Sequence, residues 1–120
     1  MTGQIERVGL DVYTVIVSLA MMILKHPTLK KVSLEISAEH FEYLKRHKDI
    51  VVLGGATLAD DDETRTGSVL IINVADRKEA DEFSLNEPFR KADLFETVTV
   101  TRMRRGQWNP DAAPDTAEGN

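Results

Sequence analysis

Four segments of the chain concentrate apolar and β-branched side chains in the way that β-strands do. They span residues 13–20, 50–58, 68–74 and 94–104. Val, Ile, Thr and Tyr favour the pleated backbone of a strand. The first and third segments are apolar at successive positions, which predicts strands that are buried on both faces. A helix over residues 15–25 is the alternative for the first segment, but the Val and Ile residues in its first half disfavour it.

One helix is predicted between the first two strands. Ser37 is a suitable N-cap, and the helix is expected to run over residues 38–49 with Phe41 and Leu44, three positions apart, on its inward face. The preceding residues, 21–36, give no single pattern. Apolar and polar positions alternate from residue 31 onward, which favours a short edge strand or an extended connection.

A second helix is predicted between the last two strands. Asp76 and Glu79 have the spacing of a capping box, and Ala80 and Phe83 are expected to bury the inner face of this helix. The order of elements is therefore βαββαβ. This order is typical of the ferredoxin-like α+β fold, in which an antiparallel sheet carries both helices on one face.

The hairpin between the second and third strands has its own signals. The acidic run at residues 60–63 indicates a solvated loop that is expected to close at Gly67. Gly54 and Gly55 lie inside the second strand, where glycine indicates a bulge or a close approach to the backbone.

The predicted fold leaves one face of the sheet without helices. Because the first and third strands are apolar on that side too, we expect a second copy of the chain to cover it, in a homodimer whose two sheets pack together. The alternative cover is the segment of residues 21–36 from the same chain.

The length and composition limit the number of domains and the kinds of partner and site that the chain can have. A chain of 120 residues is expected to form one domain, here residues 12–105, with an N-terminal extension at 1–11 and a C-terminal tail at 106–120. The net charge of −5 disfavours nucleic acid as a partner, and the third strand lacks the aromatic rings that stack on RNA bases. The chain has no cysteine, which excludes disulfides and thiolate sites and fits a cytoplasmic location.

One apolar run, residues 12–24, resembles a membrane segment. It is shorter than the roughly 20 residues that a membrane-crossing helix needs. Charged residues flank it, and no small residues mark a cleavage site after it. We therefore expect neither a membrane span nor a secretion signal.

His40 is the candidate for proton transfer, because imidazole takes up and releases protons near neutral pH. Its place in the first turn of the predicted helix puts it at the rim of the core. A boundary histidine that only forms hydrogen bonds is the simpler interpretation of such a residue. His47 lies two helical turns further on, roughly 10 Å away, which is too far for the two rings to share a metal ion. No metal site is predicted.

A histidine that acts as a base works better with a carboxylate that orients its ring. Two carboxylates are candidates for this role. Asp49 ends the predicted helix, and Glu87 opens an acidic-Pro-aromatic turn. The simpler interpretations are that Asp49 only ends a helix and that Glu87 precedes a helix with proline in its first turn.

Three stretches of the chain together resemble a known family. They are SAEHFEYLKRHKDIVVLGGATLADDDET, TGSVLIINVADRKEADEF and NEPFRKADLFETVTVTRMRR. In this order they resemble the YciI-like (YCII-related) family. The resemblance implies a dimeric α+β barrel and a His/Asp-centred site, and part of the family acts as lyase-type enzymes on chlorinated hydroxyquinols.

The resemblance also implies which residues form the site. The family histidine falls on His40, and the aspartate that often begins the Gly-rich strand falls on Asp49. The Asp-Pro-Tyr/Phe turn of the family falls on Glu87, Pro88 and Phe89.

The chain departs from the family pattern at several positions. Glu87 replaces the usual Asp and is one methylene longer. The Gly-Pro that usually ends the second strand is Gly55-Ala56, and the Gly before the last strand is Asp93. The Arg that usually precedes the histidine is missing, so anion binding by that residue is not carried over.

These observations predict a small homodimeric enzyme of lyase or isomerase type. His40, oriented by Asp49 or Glu87, would move a proton on a small cyclic oxygenated compound, with no metal or organic cofactor. Backbone N–H groups beside the pocket would meet a developing oxyanion. The residues expected to border the pocket are Gly54, Gly55, Pro88 and Phe89. The alternative is a non-catalytic small-ligand binding or regulatory module of the same fold.

Overall fold

The computed structural model describes residues 11–19, 27–61 and 64–116. The strands are β1 (Asp11–Leu19), β2 (Val51–Leu58), β3 (Arg65–Ile72) and β4 (Phe95–Arg104). The helices are α1 (Pro27–Arg46), α2 (Arg77–Leu85) and the short α3 (Pro88–Lys91), and a 3-10 turn follows at Pro110–Ala112. The four strands form one antiparallel sheet in the order β2-β3-β1-β4. This confirms the predicted ferredoxin-like α+β fold.

β1 lies in the middle of the sheet, between β3 and β4. Val15 is opposite Leu70 on one side and Val100 on the other. Tyr13, Val15 and Val17 are buried, whereas Ile16 between them is 45% exposed. Among the described residues, helices cover one face of the sheet and leave the other apolar face of β1, with Ile16, open.

α1 begins at Pro27, ten residues before the predicted N-cap at Ser37. The prediction of an edge strand or extended connection was wrong for residues 27–36, and residues 20–26 lie outside the described part. The segment is helical because Ile36, His40 and Tyr43 recur at the spacing of one helix face. Residues 15–19 lie in β1, which excludes the alternative helix there.

The inward face of α1 runs through Tyr43, so the prediction that Phe41 lies on this face was wrong. Phe41 is 58% exposed, whereas Tyr43 is buried and its hydroxyl donates a hydrogen bond of 2.8 Å to the carbonyl oxygen of Phe83. Leu44 packs against the core as expected. The Tyr43 hydrogen bond joins α1 to α2 and helps to set where the middle of α1 lies over the sheet.

α2 begins as predicted. The Asp76 side chain accepts a hydrogen bond of 2.9 Å from the Glu79 backbone N–H, and Glu79 accepts one of 3.0 Å from the Ala75 N–H. Ala80 and Phe83 are buried against the sheet. Among the described residues, none of the helices has the length and apolar character needed to span a membrane.

The β2–β3 hairpin closes earlier than predicted. The Ala59 N–H donates to the Thr64 carbonyl oxygen over 2.9 Å, and Gly67 lies inside β3. A Cβ on Gly67 would lie 1.9 Å from the carbonyl oxygen of Val17 on β1, so this glycine serves the close approach of two strands and not the loop.

Candidate active site

His40 and Glu87 meet where α1 crosses the start of α3. The Nδ1–H of His40 donates a hydrogen bond to Oε1 of Glu87. The side chains are largely buried, at 15% and 6% exposure. Because Nδ1 carries the proton in this arrangement, the neutral ring keeps a lone pair on Nε2, the nitrogen that can accept a proton from a ligand.

The local sequence explains why Glu87 is held in place. α2 ends at Leu85, and Pro88 occupies the first position of α3, so Glu87 becomes the N-cap of α3. Its second carboxylate oxygen, Oε2, accepts a hydrogen bond of 3.1 Å from the backbone N–H of Arg90. Both carboxylate oxygens therefore have fixed donors, which suits a buried carboxylate.

Phe89 fixes the plane of the histidine ring. The rings of His40 and Phe89 stack with their centroids 4.5 Å apart and an angle of 22° between the planes. The rings of Phe89 and Phe95 pack edge to face, with their centroids 6.1 Å apart. This packing and the Glu87 hydrogen bond together restrain both the position and the rotation of the His40 ring.

An apolar cleft lies beside this pair. The space between its side chains amounts to about 310 Å³ with the open mouth included, but only about 10 Å³ of it is wide enough for a water-sized sphere. A compound with one ring would need the side chains of the cleft to move apart. Its lining residues are Val15, Val17, His40, Ser68, Leu70, Phe83, Ser84, Glu87 and Phe95.

Comparison with known protein families gives a match over most of the chain. The model of the YCII-related domain matches residues 17–104, a span that includes His40, Glu87 and most of the cleft. The chain belongs to the YCII-related domain family. The predicted resemblance is thus confirmed. No curated protein matches the chain.

A solved structure is similar to this YCII-related domain. It is 5-chloro-2-hydroxyhydroquinone dehydrochlorinase from Burkholderia phenoliruptrix AC1100, in complex with 2,5-dihydroxybenzoquinone. The two chains are 30% identical and superpose with a TM-score of 0.67, over 79% of this chain and 95% of the other. The identity and coverage agree with membership of one family.

Of the two carboxylates predicted as partners of His40, the structure brings only Glu87 to it. Asp49 is exposed in the turn after α1, and no contact between it and His40 occurs among the described residues. The turn displaces Asp49 because α1 ends at Arg46, before that position. Glu87 is reached instead because α3 folds back over the middle of α1.

The other predicted site residues differ in whether they contact the cleft or His40. Gly54 and Gly55 do not line it, although Gly54 lies directly behind the lining residue Leu70. Pro88 acts through the backbone as the first residue of α3. Phe89 contacts His40 as described above. The oxyanion role of the glycine N–H groups remains a prediction.

Two polar residues of this region were not predicted. Ser84 is buried and lines the cleft, and its Oγ accepts a hydrogen bond of 3.1 Å from Nη1 of Arg90. The sequence did contain a signal for Ser84. It lies four residues after Ala80 and directly after Phe83, so a polar side chain shares the buried face of α2.

The carboxylate of Glu87 also affects Tyr43. Burial raises the pKa of the Tyr43 phenol, and the nearby negative charge of Glu87 raises it further, while the Arg46 charge opposes both. The phenol therefore stays protonated at neutral pH and keeps its hydrogen bond to Phe83. Within the described ranges, no group of three or more side chains has the arrangement of a metal site.

Proposed function

We propose that this YCII-related domain is an enzyme of lyase or isomerase type, in which the His40–Glu87 pair moves a proton on a small cyclic oxygenated compound. The observation that carries the proposal is the hydrogen bond from His40 Nδ1–H to buried Glu87 at the wall of an apolar cleft. A buried histidine–carboxylate pair at the wall of an apolar cleft is an arrangement that general acid–base catalysis can use.

Each member of the pair has a distinct role. His40 accepts a proton from the ligand at Nε2 and returns it to another atom. Glu87 keeps the proton of the neutral ring on Nδ1 and stabilises the imidazolium that forms during the transfer. No protein group needs to form a covalent bond to the ligand.

The similar solved structure supports this substrate class. That protein's name gives a chlorinated hydroxyhydroquinone as its substrate, and its complex contains a dihydroxybenzoquinone. Loss of HCl from such a ring is balanced without an external oxidant. One hydroxyl proton moves to the carbon that carries chlorine, a second hydroxyl proton leaves, and the C–Cl electron pair departs with chloride. Both hydroxyl protons require a base of the kind that His40 provides.

We also propose that the active form is a homodimer in which the open sheet faces pack together. Ile16 and Leu53 are 45% and 63% exposed on strands of this sheet. Their side chains share the open face with Val69 and Ile71. Light scattering should give twice the chain mass, and Ile16→Glu should give a monomer because it would bury a charge in the interface. A monomeric wild type would contradict this proposal.

The test of catalysis is chloride release from 5-chloro-2-hydroxyhydroquinone under anaerobic conditions, which prevent oxidation of the ring by air. His40→Asn is the informative variant, because an Asn amide can still donate to Glu87 but has no basic nitrogen. His47→Asn is the matched control on the same helix, since His47 Nδ1 donates to the Tyr43 carbonyl oxygen and does not line the cleft.

We expect wild type and His47→Asn to release chloride at similar rates and His40→Asn to be slower by roughly 10²-fold or more. Binding of 2,5-dihydroxybenzoquinone without turnover of any related compound would instead identify a ligand-binding module. Equal rates for wild type and His40→Asn would exclude the proposed mechanism.

A further inference from the structure

The buried hydroxyl of Ser84 is a polar group that the His40–Glu87 mechanism leaves unused. Ser84 is only 4% exposed and lines the same cleft as His40. Burial of a hydroxyl costs free energy unless the group has hydrogen-bond partners. The surroundings of Ser84 therefore indicate what it contributes.

Among the residues that the structure describes, the Ser84 hydroxyl accepts a hydrogen bond but has no acceptor for its own proton. A hydroxyl offers one donor and two acceptor sites. Ser84 Oγ accepts from Nη1 of Arg90 over 3.1 Å. Across the described ranges, its O–H donates to no acceptor, including the carbonyl four residues earlier that helical serines often use. The hydroxyl proton remains free for a group in the cleft.

Arg90 makes this hydroxyl a stronger donor. The Arg90 side chain is partly buried and forms no ion pair with a carboxylate in the described part of the chain. Its backbone N–H donates to Glu87, so the residue that supports the carboxylate also supports the hydroxyl. A cation that donates to Oγ draws electron density from the O–H bond and favours donation to a negatively charged oxygen.

We propose that Ser84 binds an oxygen atom of the ligand and that Arg90 is the residue that positions and polarises its hydroxyl. This inference rests on the proposed function and deepens it. A ligand would then need two oxygen substituents on one ring, one facing His40 and one accepting from Ser84. The site would select hydroxyquinones and polyhydroxylated benzenes over rings with a single hydroxyl, and it would favour the anionic oxygen that develops when His40 removes a proton.

The test uses ligands that differ by one hydroxyl. Phenol, catechol, resorcinol and hydroquinone are titrated by NMR into wild type, Ser84→Ala and Ser84→Cys, with 2,5-dihydroxybenzoquinone as the reference ligand. The Cys variant has the same branching as serine and only a slightly larger atom, but its S–H is a weak donor, so it gives a result even if the Ala variant folds poorly.

For wild type, we expect at least one dihydroxybenzene to bind about 10-fold more tightly than phenol. Ser84→Ala and Ser84→Cys should remove this preference and leave phenol affinity within about 2-fold, because phenol would be bound through His40. Arg90→Met should also reduce the preference, and Arg90→Lys should restore part of it. A residue that is only structural would weaken binding of phenol and dihydroxybenzenes alike.

Failure of this inference and failure of the proposed function give different results in this experiment. If wild type binds 2,5-dihydroxybenzoquinone and the serine variants keep the preference for a second hydroxyl, this inference is wrong and the proposed function stands. If wild type binds neither the reference ligand nor any member of the series, both are wrong.

Discussion

Nδ1 of His40 and Oε1 of Glu87 share a hydrogen bond although 47 residues separate them in the chain. One residue lies in the middle of α1, and the other is the N-cap of α3. The pair therefore depends on the packing of two helices and on the turn between α2 and α3. Its geometry is a property of the folded chain and not of one local motif.

Glu87→Gln should strongly reduce turnover. Glu87 accepts from two donors, His40 Nδ1–H and the Arg90 N–H, with separate oxygens. Glutamine has one oxygen, so one donor loses its acceptor, and the imidazolium loses its countercharge. We expect kcat/KM to fall by roughly 10²-fold or more. Glu82→Gln, an exposed change on α2, is the control in steady-state kinetics, and a fully active Glu87→Gln enzyme would exclude the role of the carboxylate.

Alanine at Gly54 should narrow the cleft, whereas alanine at Gly55 should not. A Cβ on Gly54 would lie 2.5 Å from Cδ2 of Leu70, which must then move within the cleft wall. A Cβ on Gly55 would meet nothing within 4 Å. We expect Gly54→Ala to weaken binding of 2,5-dihydroxybenzoquinone several-fold, on the order of 1 kcal/mol, as measured by calorimetry. Equal affinities for the two variants would show that Leu70 does not border the bound ligand.

Asp93 adopts a backbone conformation that favours glycine. Its φ is 59°, and it directly follows the last turn of α3. We expect Asp93→Gly to raise the free energy of unfolding by up to about 1 kcal/mol and Asp93→Ala to lower it by about 0.5–1 kcal/mol. Asp49→Gly is the control at an exposed aspartate with negative φ, and it should lower stability. Urea unfolding gives all three values, and a destabilising Asp93→Gly would contradict this interpretation.

Asp11 should titrate at unusually low pH. Its carboxylate accepts hydrogen bonds from Arg104 and Arg102, which lower its pKa from 3.8 to about 2. Because the folded-state pKa is depressed, the stabilisation is present above about pH 3.8 and is lost as the pH falls toward 2. Carbon NMR of the Asp11 carboxyl group should show the low midpoint. It should rise more in Arg104→Ala than in Arg102→Ala, and a midpoint near 3.8 in wild type would contradict the ion pairs.

The strands and α2 were predictable from the sequence because their signals are local. Strand residues such as Val15 and Leu70 lie in clusters of β-branched and aliphatic side chains, and Asp76 and Glu79 form the capping box of α2. The start of α1 was not predictable in the same way. Its residues 31–36 alternate as a strand would, and the helical spacing emerges only when Ile36 is read together with His40 and Tyr43.

The site residues also differ in how far the sequence alone could identify them. His40 and Glu87 could be singled out because their chemistry and the proline after Glu87 are visible in the sequence. The choice between Glu87 and Asp49 could not be made, because it depends on where α1 ends. The contact of Ser84 with Arg90 depends on α3 turning back, six residues later, onto the end of α2.

The most direct test of the central claim is a double-mutant cycle on kcat/KM for chloride release from 5-chloro-2-hydroxyhydroquinone. It compares wild type, His40→Asn, Glu87→Gln and the double variant. If His40 and Glu87 act as one unit, the double variant should be about as slow as His40→Asn alone, because the carboxylate acts only through the ring. Losses that multiply in the double variant, or no loss in His40→Asn, would show that the pair does not carry the chemistry.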